Sequence, residues 1–445
     1  MVPWRGLRCM SSARESPPQE HAPTAPLRKN RDFLKLWTGA GMSILGARVS
    51  AVAYPLLMVW QNGSPVDAGL VGFAALLPVL LVQLPAGVLV DRWDRRRTMI
   101  VCDLVGILTM GSVGITLLAG DVGLPHLMAA AFVEGGAAIF YRLSERAAVR
   151  NVVHADHLSA ALSQNEARGR AAGLVGQPLG SSLFAVFRGF PFLFTAIAHL
   201  FALVMLLLIK QDLQTRRTAP PRRLHTELME GLNWLRRQRF LRAAVLLVGA
   251  TNILFQVLSL ALVLVIKDSG GSPAVIGVIG AVSGVGGVCG ALSGSWFGRR
   301  FAVSTIVMGV FAAWTVLMPM VALTSNPFAL GALFAGMTFG GALMNVVAGV
   351  YQVQLTPDEL QGRVSSVAML LSSGANSLGA LAGGFLLGAF STTATVLGVG
   401  ATMLVTLVAS LLSPAMRSAP TEPVMVSTPR EPRKAAAHSP DSEEI

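Results

Sequence analysis

The sequence predicts an all-α protein that crosses a membrane twelve times, with its helices divided into two pseudo-symmetric halves of six. Hydrophobic residues make up 53% of the chain and charged residues only 13%, about half the charged fraction usual in soluble proteins. Apolar segments of about 20 residues, the length that crosses a bilayer core, recur along the chain. Because a backbone in lipid must satisfy its own hydrogen bonds, and these segments lack the alternation of barrel strands, we predict helices.

The predicted spans form two groups of six. They lie at about 33–60, 67–90, 98–119, 124–148, 158–187 and 189–211, then at about 240–267, 273–297, 302–323, 327–351, 364–389 and 392–413. The predicted domains are a tail at 1–30, a first half at 31–211, a linker at 212–239, a second half at 240–413 and a tail at 414–445. Both tails are rich in Pro, Ser and charge, which predicts disorder.

The linker contains leucines at helical spacing, followed by arginines. Leu224, Leu228, Leu232 and Leu235 fall on one face of a helix, and Arg236 and Arg237 follow directly. This pattern is typical of an amphipathic helix that lies at the cytoplasmic membrane surface.

Basic residues lie almost entirely on one side of the predicted membrane. That side holds Arg92, Arg95 to Arg97, Arg146, Arg150, the cluster from Arg216 to Arg242, Arg299, Arg300 and Arg363. The other side has only Arg188 and Lys267 near span ends. Because cytoplasmic loops are enriched in Lys and Arg, we predict a multi-pass cell-membrane protein with both termini in the cytoplasm. The net charge of +12 lies at helix ends, which argues against nucleic acid as a partner.

Matched positions indicate an internal repeat. Arg31-Asp-Phe-Leu-Lys35 opens the first half, and Gln238-Arg-Phe-Leu-Arg242 opens the second. Three further pairs recur at offsets of 202 or 203 positions: Gly87 and Gly290, Asp156 and Asp358, and Gly180 and Gly383. Membrane transporters are commonly built from such repeats, with the substrate site between them near the bilayer midplane.

The loop after the second span carries the most specific motif, Gly87-Val-Leu-Val-Asp91-Arg92-Trp-Asp94-Arg95-Arg96-Arg97. It resembles motif A of the major facilitator superfamily, G-x-L-x-D-R-x-G-R-R, with Asp94 in place of the second glycine. The resemblance extends over about residues 30–413 and implies the twelve-helix major facilitator fold. It also implies that Gly87, Asp91, Arg92, Arg95 and Arg96 form a gate whose acid bridges the two halves in the outward-facing state. The alternative is a plain cationic anchor.

Two related segments depart further from the superfamily patterns. In the second half, Gly290-Ala-Leu-Ser-Gly294 replaces the motif A acid with Gly294. In the fifth span, Gly176-Gln177-Pro178-Leu-Gly180 resembles motif C of the drug/proton antiporter branch, which is associated with export. The alternative for this segment is a kinked, closely packed helix. Stretches around Glu134, Ser144 and Gln164 are also similar to multidrug, macrolide and siderophore exporters.

Several charged residues are predicted near the middle of the bilayer. Arg48, Glu134 and Arg168 lie about 12–18 Å along their helices from the nearest end, and charges at such depth usually face a cavity or each other. Glu166 and Arg170 can share one helix face. We therefore predict a buried network of these five residues, in which Glu134 or Glu166 carries a coupling proton. The alternative is a salt-bridge cluster that only holds the first half together.

Other polar residues are weaker candidates. Asp103, early in the third span, is expected to pair with the Arg-rich loop. In the second half, Gln256 and Asn345 are candidates to line a substrate cavity, although hydrogen bonds between helices are the alternative. A cavity that is charged on one side only suits an amphipathic or cationic compound.

The chain lacks a nucleotide-binding G-x-x-x-x-G-K-[ST] loop and a Cys/His metal cluster, so no cofactor, metal or enzymatic activity is predicted. The leading hypothesis is a monomeric secondary transporter that exports a drug-like, natural-product or other amphipathic small molecule in exchange for protons. An importer or facilitator of a small polar nutrient is the alternative. A receptor or intramembrane enzyme would need an output domain or a catalytic cluster.

Overall fold

The computed structural model describes residues 27–214, 224–357 and 360–414. Most of both predicted tails, Arg216 of the basic cluster and Asp358 of the repeat lie outside the described residues. Within them the chain forms fourteen α-helices. They are α1 (Arg31–Gln61), α2 (Pro65–Leu81), α3 (Gln83–Arg92), α4 (Arg95–Ala119), α5 (Leu124–Val152), α6 (Leu158–Val186), α7 (Phe190–Leu207), α8 (Leu224–Arg237), α9 (Arg239–Asp268), α10 (Pro273–Arg300), α11 (Val303–Met320), α12 (Pro327–Leu355), α13 (Gln361–Ala389) and α14 (Thr392–Leu412).

Twelve crossings account for these helices, which confirms the predicted fold class. Ten helices are long and apolar enough to span a bilayer, and α2 with α3 forms an eleventh, bent crossing. The twelfth is α6, which at 29 residues is long enough to span but is more polar, because its first turns hold Glu166, Arg168 and Arg170. It packs between α1 and α10.

The second predicted span is not one straight helix. The chain bends by 53° between α2 and α3. Pro85 lies four residues after Leu81, the last residue of α2. A proline removes a backbone donor and its ring clashes with the carbonyl four residues earlier, so the helix breaks at this point.

The two halves use equivalent helix contacts. In the first half α6 packs on α1, and in the second α13 packs on α9. A Cβ added to Gly180 of α6 would lie 2.8 Å from the carbonyl oxygen of Val49, and one added to Gly383 of α13 would lie 3.1 Å from Cα of Val257. The glycine pair of the repeat therefore makes the same close approach in both halves.

The halves meet through two helix pairs, α2 with α13 and α6 with α10. We call the end of the bundle where α1 begins and α10 ends the basic face, and the other end the opposite face. A Cβ on Gly69 of α2 would lie 2.5 Å from Cα of Gly384 in α13. Lys267, at the end of α9, also donates a hydrogen bond to the carbonyl of Val59 in α1. The Gly69–Gly384 contact and the Lys267–Val59 hydrogen bond lie toward the opposite face.

The linker helix α8 packs on protein rather than lying free. Leu235 is buried in a cluster with residues of α9 and α13, including Leu241 and Val364. Arg363, at the start of α13, forms an ion pair with Glu230 of α8. Leu232 and Leu235 of the amphipathic pattern therefore pack against the second half.

Candidate functional site

A central cavity of about 520 Å³ lies between the two halves. Its walls come from α1, α2 and α6 of the first half and from α9, α10, α12 and α13 of the second. Arg48 and Gln256, two residues singled out in the sequence, both line it. The volume lies in the range of small-molecule sites, roughly 300–1,000 Å³.

Arg48 and Gln256 occupy equivalent positions in the two halves. A Cβ on Gly176 of α6 would lie 2.4 Å from Cβ of Arg48, and one on Gly379 of α13 would lie 2.9 Å from Cβ of Gln256. The two glycines are 203 positions apart, the same offset as Gly180 and Gly383. The repeat therefore places a cation on one wall of the cavity and a neutral amide on the other.

The motif C-like segment of α6 lies in tight contact with two helices. Gly176 and Gly180 meet α1, while Gln177, Pro178 and Ser181 face α10. A Cβ on Gly277 would lie 2.1 Å from Oγ of Ser181, and one on Gly280 would lie 2.3 Å from Cδ of Gln177. These small residues let α6 join the two halves, and Gln177 also lines the cavity.

A second site lies beside the cavity, inside the first half. His199 of α7 stands between two carboxylates: Nδ1 is 3.0 Å from Oδ1 of Asp103, and Nε2 is 3.0 Å from Oε1 of Glu134. All three side chains are buried. Asp103 therefore contacts His199 instead of the Arg-rich loop expected for it. We call Asp103, His199 and Glu134 the acid–histidine–acid cluster.

The geometry of this cluster implies a shared proton. A neutral imidazole donates from one ring nitrogen and accepts at the other. Between two ionised carboxylates, its accepting nitrogen would face a negative oxygen, which is unfavourable in a buried site. The arrangement is satisfied when one extra proton resides on the imidazole or on one of the acids. The remaining oxygens, Oδ2 of Asp103 and Oε2 of Glu134, are buried without a hydrogen-bond partner.

Two neighbours define the surroundings of the cluster. Gly106 of α4 leaves room for the ring, because a Cβ there would lie 2.6 Å from the imidazole. Tyr54 of α1 lies close enough to Glu134 to interact electrostatically, and it also lines the cavity. Tyr54 is therefore a cavity-lining side chain that also lies near Glu134 of the cluster.

The structure does not gather the five charges of the predicted network. Glu166 and Arg170 form an ion pair of 2.9 Å with about 70% of each side chain exposed. Arg168 is buried and pairs with Glu145 at 3.2 Å. It also donates to the carbonyl of Trp37 in α1. Glu134 belongs to the cluster, so the charges of the first half divide among separate places.

The motif A residues lie at the basic face, where they hold helix ends. Arg95 donates to the carbonyl of Ala147 in α5, and Arg96 donates to the carbonyl of Leu207 in α7. Cations are favourable at helix C-termini because of the helix dipole. Asp91 and Arg92 are exposed, and Asp91 interacts electrostatically with Arg95.

Two motif A positions differ from the superfamily expectation. A Cβ on Gly87 would meet nothing within 4 Å, so this glycine is not required for close helix packing. Asp94, which replaces the usual glycine, accepts a hydrogen bond of 2.8 Å from the backbone of Arg97. It therefore serves as the N-cap of α4.

Of the two second-half candidates for the cavity wall, the structure leaves one outside the cavity, and it adds a first-half residue that sequence reasoning missed. Asn345 is exposed on α12 and is not part of the cavity wall. His199 escaped attention because a single histidine in the apolar helix α7 belongs to no motif. The available signal was its depth, about 12 Å from either end of α7.

Two six-helix halves around a central cavity define a membrane transporter of the major facilitator type. The chain belongs to a family described as transmembrane secretion effectors, whose model matches residues 21–438. Members of this family are transporters and not enzymes.

Similar proteins include drug efflux pumps. The chain is 28% identical over 407 residues to the multidrug efflux pump Tap of Mycolicibacterium fortuitum, covering 86% of this chain and 95% of the pump. It is 24% identical over 156 residues to macrolide efflux protein A of Streptococcus pyogenes, covering 35% of this chain and 38% of that protein. A mutant of the nucleoside transporter NupG shares the fold with a TM-score of 0.70 and 12% identity, over 85% of this chain and 98% of that one.

Proposed function

We propose that the protein exports an amphipathic small molecule across the cell membrane in exchange for protons, by alternating access. The observation that carries the proposal is the acid–histidine–acid cluster, a buried group of titratable side chains near Tyr54, which lines the cavity. Buried ionisable residues in spanning segments commonly belong to proton relays or substrate pathways. The efflux activity named for two relatives supports the outward direction.

The arrangement of the halves supports a state that opens toward the basic face. The glycine contacts of α10 with α6, at Gly277, Gly280 and Gly284, all lie in the half of α10 nearer the opposite face. Toward the basic face, Glu166 and Arg170 are exposed. With the basic face in the cytoplasm, as its arginines favour, substrate enters the cavity from inside the cell. Loss of the contacts at the opposite face would then release it outside.

Proton exchange would drive the conformational change by altering the net charge of the acid–histidine–acid cluster. Loss of the shared proton leaves two buried carboxylates facing a neutral imidazole, which favours a rearrangement that brings new partners or water. Tyr54 lies on α1, which also carries Arg48, so such a rearrangement reaches the cavity wall. In this scheme Glu134 carries the proton with His199 and Asp103, whereas Glu166 does not.

The two halves, the linker and the motif A residues fit a single transporting unit. The halves at 31–211 and 240–413 rock about the linker at 212–239, and Asp91 with Arg92, Arg95 and Arg96 forms part of the gate at the basic face. A single chain contains both halves, so we propose that the monomer is the transporting species.

The test is proton flux in inverted vesicles with an imposed, acid-inside proton gradient. We expect at least one of a panel of anionic, neutral and cationic amphipathic compounds to dissipate the gradient in vesicles that contain the wild-type protein. The Glu134→Gln variant should lose this response, because the cluster can no longer release a proton at that position. The Glu166→Gln variant, which removes the competing candidate, should keep it.

Three results would contradict the proposal. Dissipation that survives in Glu134→Gln but disappears in Glu166→Gln would place the proton on the exposed pair. Substrate uptake without proton movement would favour a facilitator. A gradient that withstands every compound, with the same vesicles releasing a preloaded polar nutrient, would favour the importer.

A further inference from the structure

The cavity contains a cation with no carboxylate beside it. Arg48 is exposed to the cavity, and among the described residues that line this space none is Asp or Glu. No ion pair involving Arg48 occurs among the described residues. A charge at membrane depth normally finds an opposite charge or water, so Arg48 is available to a ligand.

A second cation, Arg142, strengthens the positive field around Arg48. Arg142 of α5 interacts electrostatically with Arg48, and its side chain donates to the neutral amide of Gln83. Two cations close together repel each other, and an anion bound at Arg48 would relieve that repulsion. The buried carboxylates among the described residues of the first half are engaged elsewhere: Glu134 and Asp103 with His199, and Glu145 with Arg168.

The rest of the wall is apolar or neutral. Phe255 and Phe334 supply aromatic surface, and Gln177, Gln256 and Ser283 supply neutral hydrogen-bonding groups. A guanidinium binds carboxylates in a two-point, charge-assisted geometry that a cationic or neutral group cannot use. The aromatic surface would hold an apolar body.

We propose that the substrate is an amphipathic organic anion, with its carboxylate or similar oxyanion bound to Arg48 and its apolar body against Phe255 and Phe334. This inference rests on the proposed export function, whose substrate it specifies. Gln256, the counterpart of Arg48 in the second half, would contribute a neutral hydrogen bond. The repeat thus makes the charge of the cavity one-sided.

The test compares three probes that share a pyrene body and differ only in charge: pyrenebutyrate, pyrenebutanol and pyrenebutyl-trimethylammonium. The full-length protein is held in lipid nanodiscs, and binding is measured as saturable energy transfer from tryptophan to pyrene, less that of nanodiscs without protein. Trp314 is a suitable donor, because its ring packs 4.8 Å from that of Phe255.

We expect the butyrate to bind at least about tenfold more tightly than the ammonium probe, which is about 1.4 kcal/mol. Arg48→Gln should bring the two affinities together, and Arg48→Lys should keep part of the preference. Arg188→Gln is the matched control, because it removes an exposed cation at the opposite face and should leave the ratio unchanged.

Equal or tighter binding of the ammonium or the alcohol to the wild-type protein would overturn the inference, as would a preference that Arg48→Gln does not change or the lack of saturable binding by any probe. Binding in nanodiscs needs no gradient, so this test is separate from that of export. A butyrate preference without proton-coupled flux would contradict the exchange mechanism and leave the anion site standing.

Discussion

At the residue scale, the space for His199 depends on one glycine. A Cβ at Gly106 would lie 2.6 Å from the imidazole, so Gly106→Ala should displace the ring from its two carboxylates. We expect a loss of stability of about 1–3 kcal/mol, the usual range for overpacking, together with loss of substrate-induced proton flux. Thermal unfolding of the purified protein and the vesicle assay measure the two effects.

The matched control for this substitution is on the same helix. A Cβ at Gly111 would have its nearest neighbour, Ala196, at 4.0 Å, so Gly111→Ala should unfold at the wild-type temperature or slightly above it. Equal unfolding temperatures and equal proton flux for the two variants would show that the fit of His199 against Gly106 is unimportant.

Depth alone allowed the sequence to single out Glu134, because a charge in the middle of an apolar segment needs a partner. It could not identify that partner, since His199 comes from a helix 65 positions later. The spacing of Glu166 and Arg170 correctly indicates a pair on one helix face, which the structure shows at 2.9 Å. Spacing does not reveal whether that face is buried, and here it points away from the cluster.

At the element scale, α6 depends on contact with α1. A Cβ on Gly176 would lie 2.4 Å from Cβ of Arg48, whereas one on Gly169 would meet nothing within 4 Å. Gly176→Ala should therefore separate the two helices and lower stability by about 1–3 kcal/mol. Gly169→Ala should be neutral or slightly stabilising, because alanine favours a helix. Thermal unfolding of both variants measures these two changes in stability. A Gly176→Ala protein as stable as the wild type would contradict the close packing of α6 on α1.

Helix existence was predictable from the sequence, but one internal break was not. The predicted second span ran through residues 67–90, and the structure divides it at Val82. Pro85 gave a signal, yet a proline in a spanning helix does not always break it, as Pro55 within the continuous helix α1 shows. Whether a proline bends or breaks a helix depends on the neighbours that satisfy the freed carbonyls, which are tertiary contacts.

At the scale of the whole molecule, the repeat predicted the two halves but not their functional differences. Equivalent glycines keep the same helix approaches in both halves, so the repeat survives in packing. The chemistry differs between the copies: Arg48 corresponds to Gln256, and the position 203 residues after Glu134 is the buried Met337. The first half therefore contains the charged residues at these positions. Only the structure shows which of its charged side chains contact each other.

An organic anion that leaves the cell while a proton enters would move two charges in the same electrical sense. Each charge is worth about 2.3 kcal/mol per 100 mV, so the potential alone would drive export strongly. In inverted vesicles with a potassium-valinomycin potential that is positive inside, we expect the initial rate of pyrenebutyrate uptake to rise with the potential. Vesicles without the protein give the passive background. One-for-one exchange of a monovalent cation for a proton moves no net charge, so a rate independent of the potential would contradict anion export.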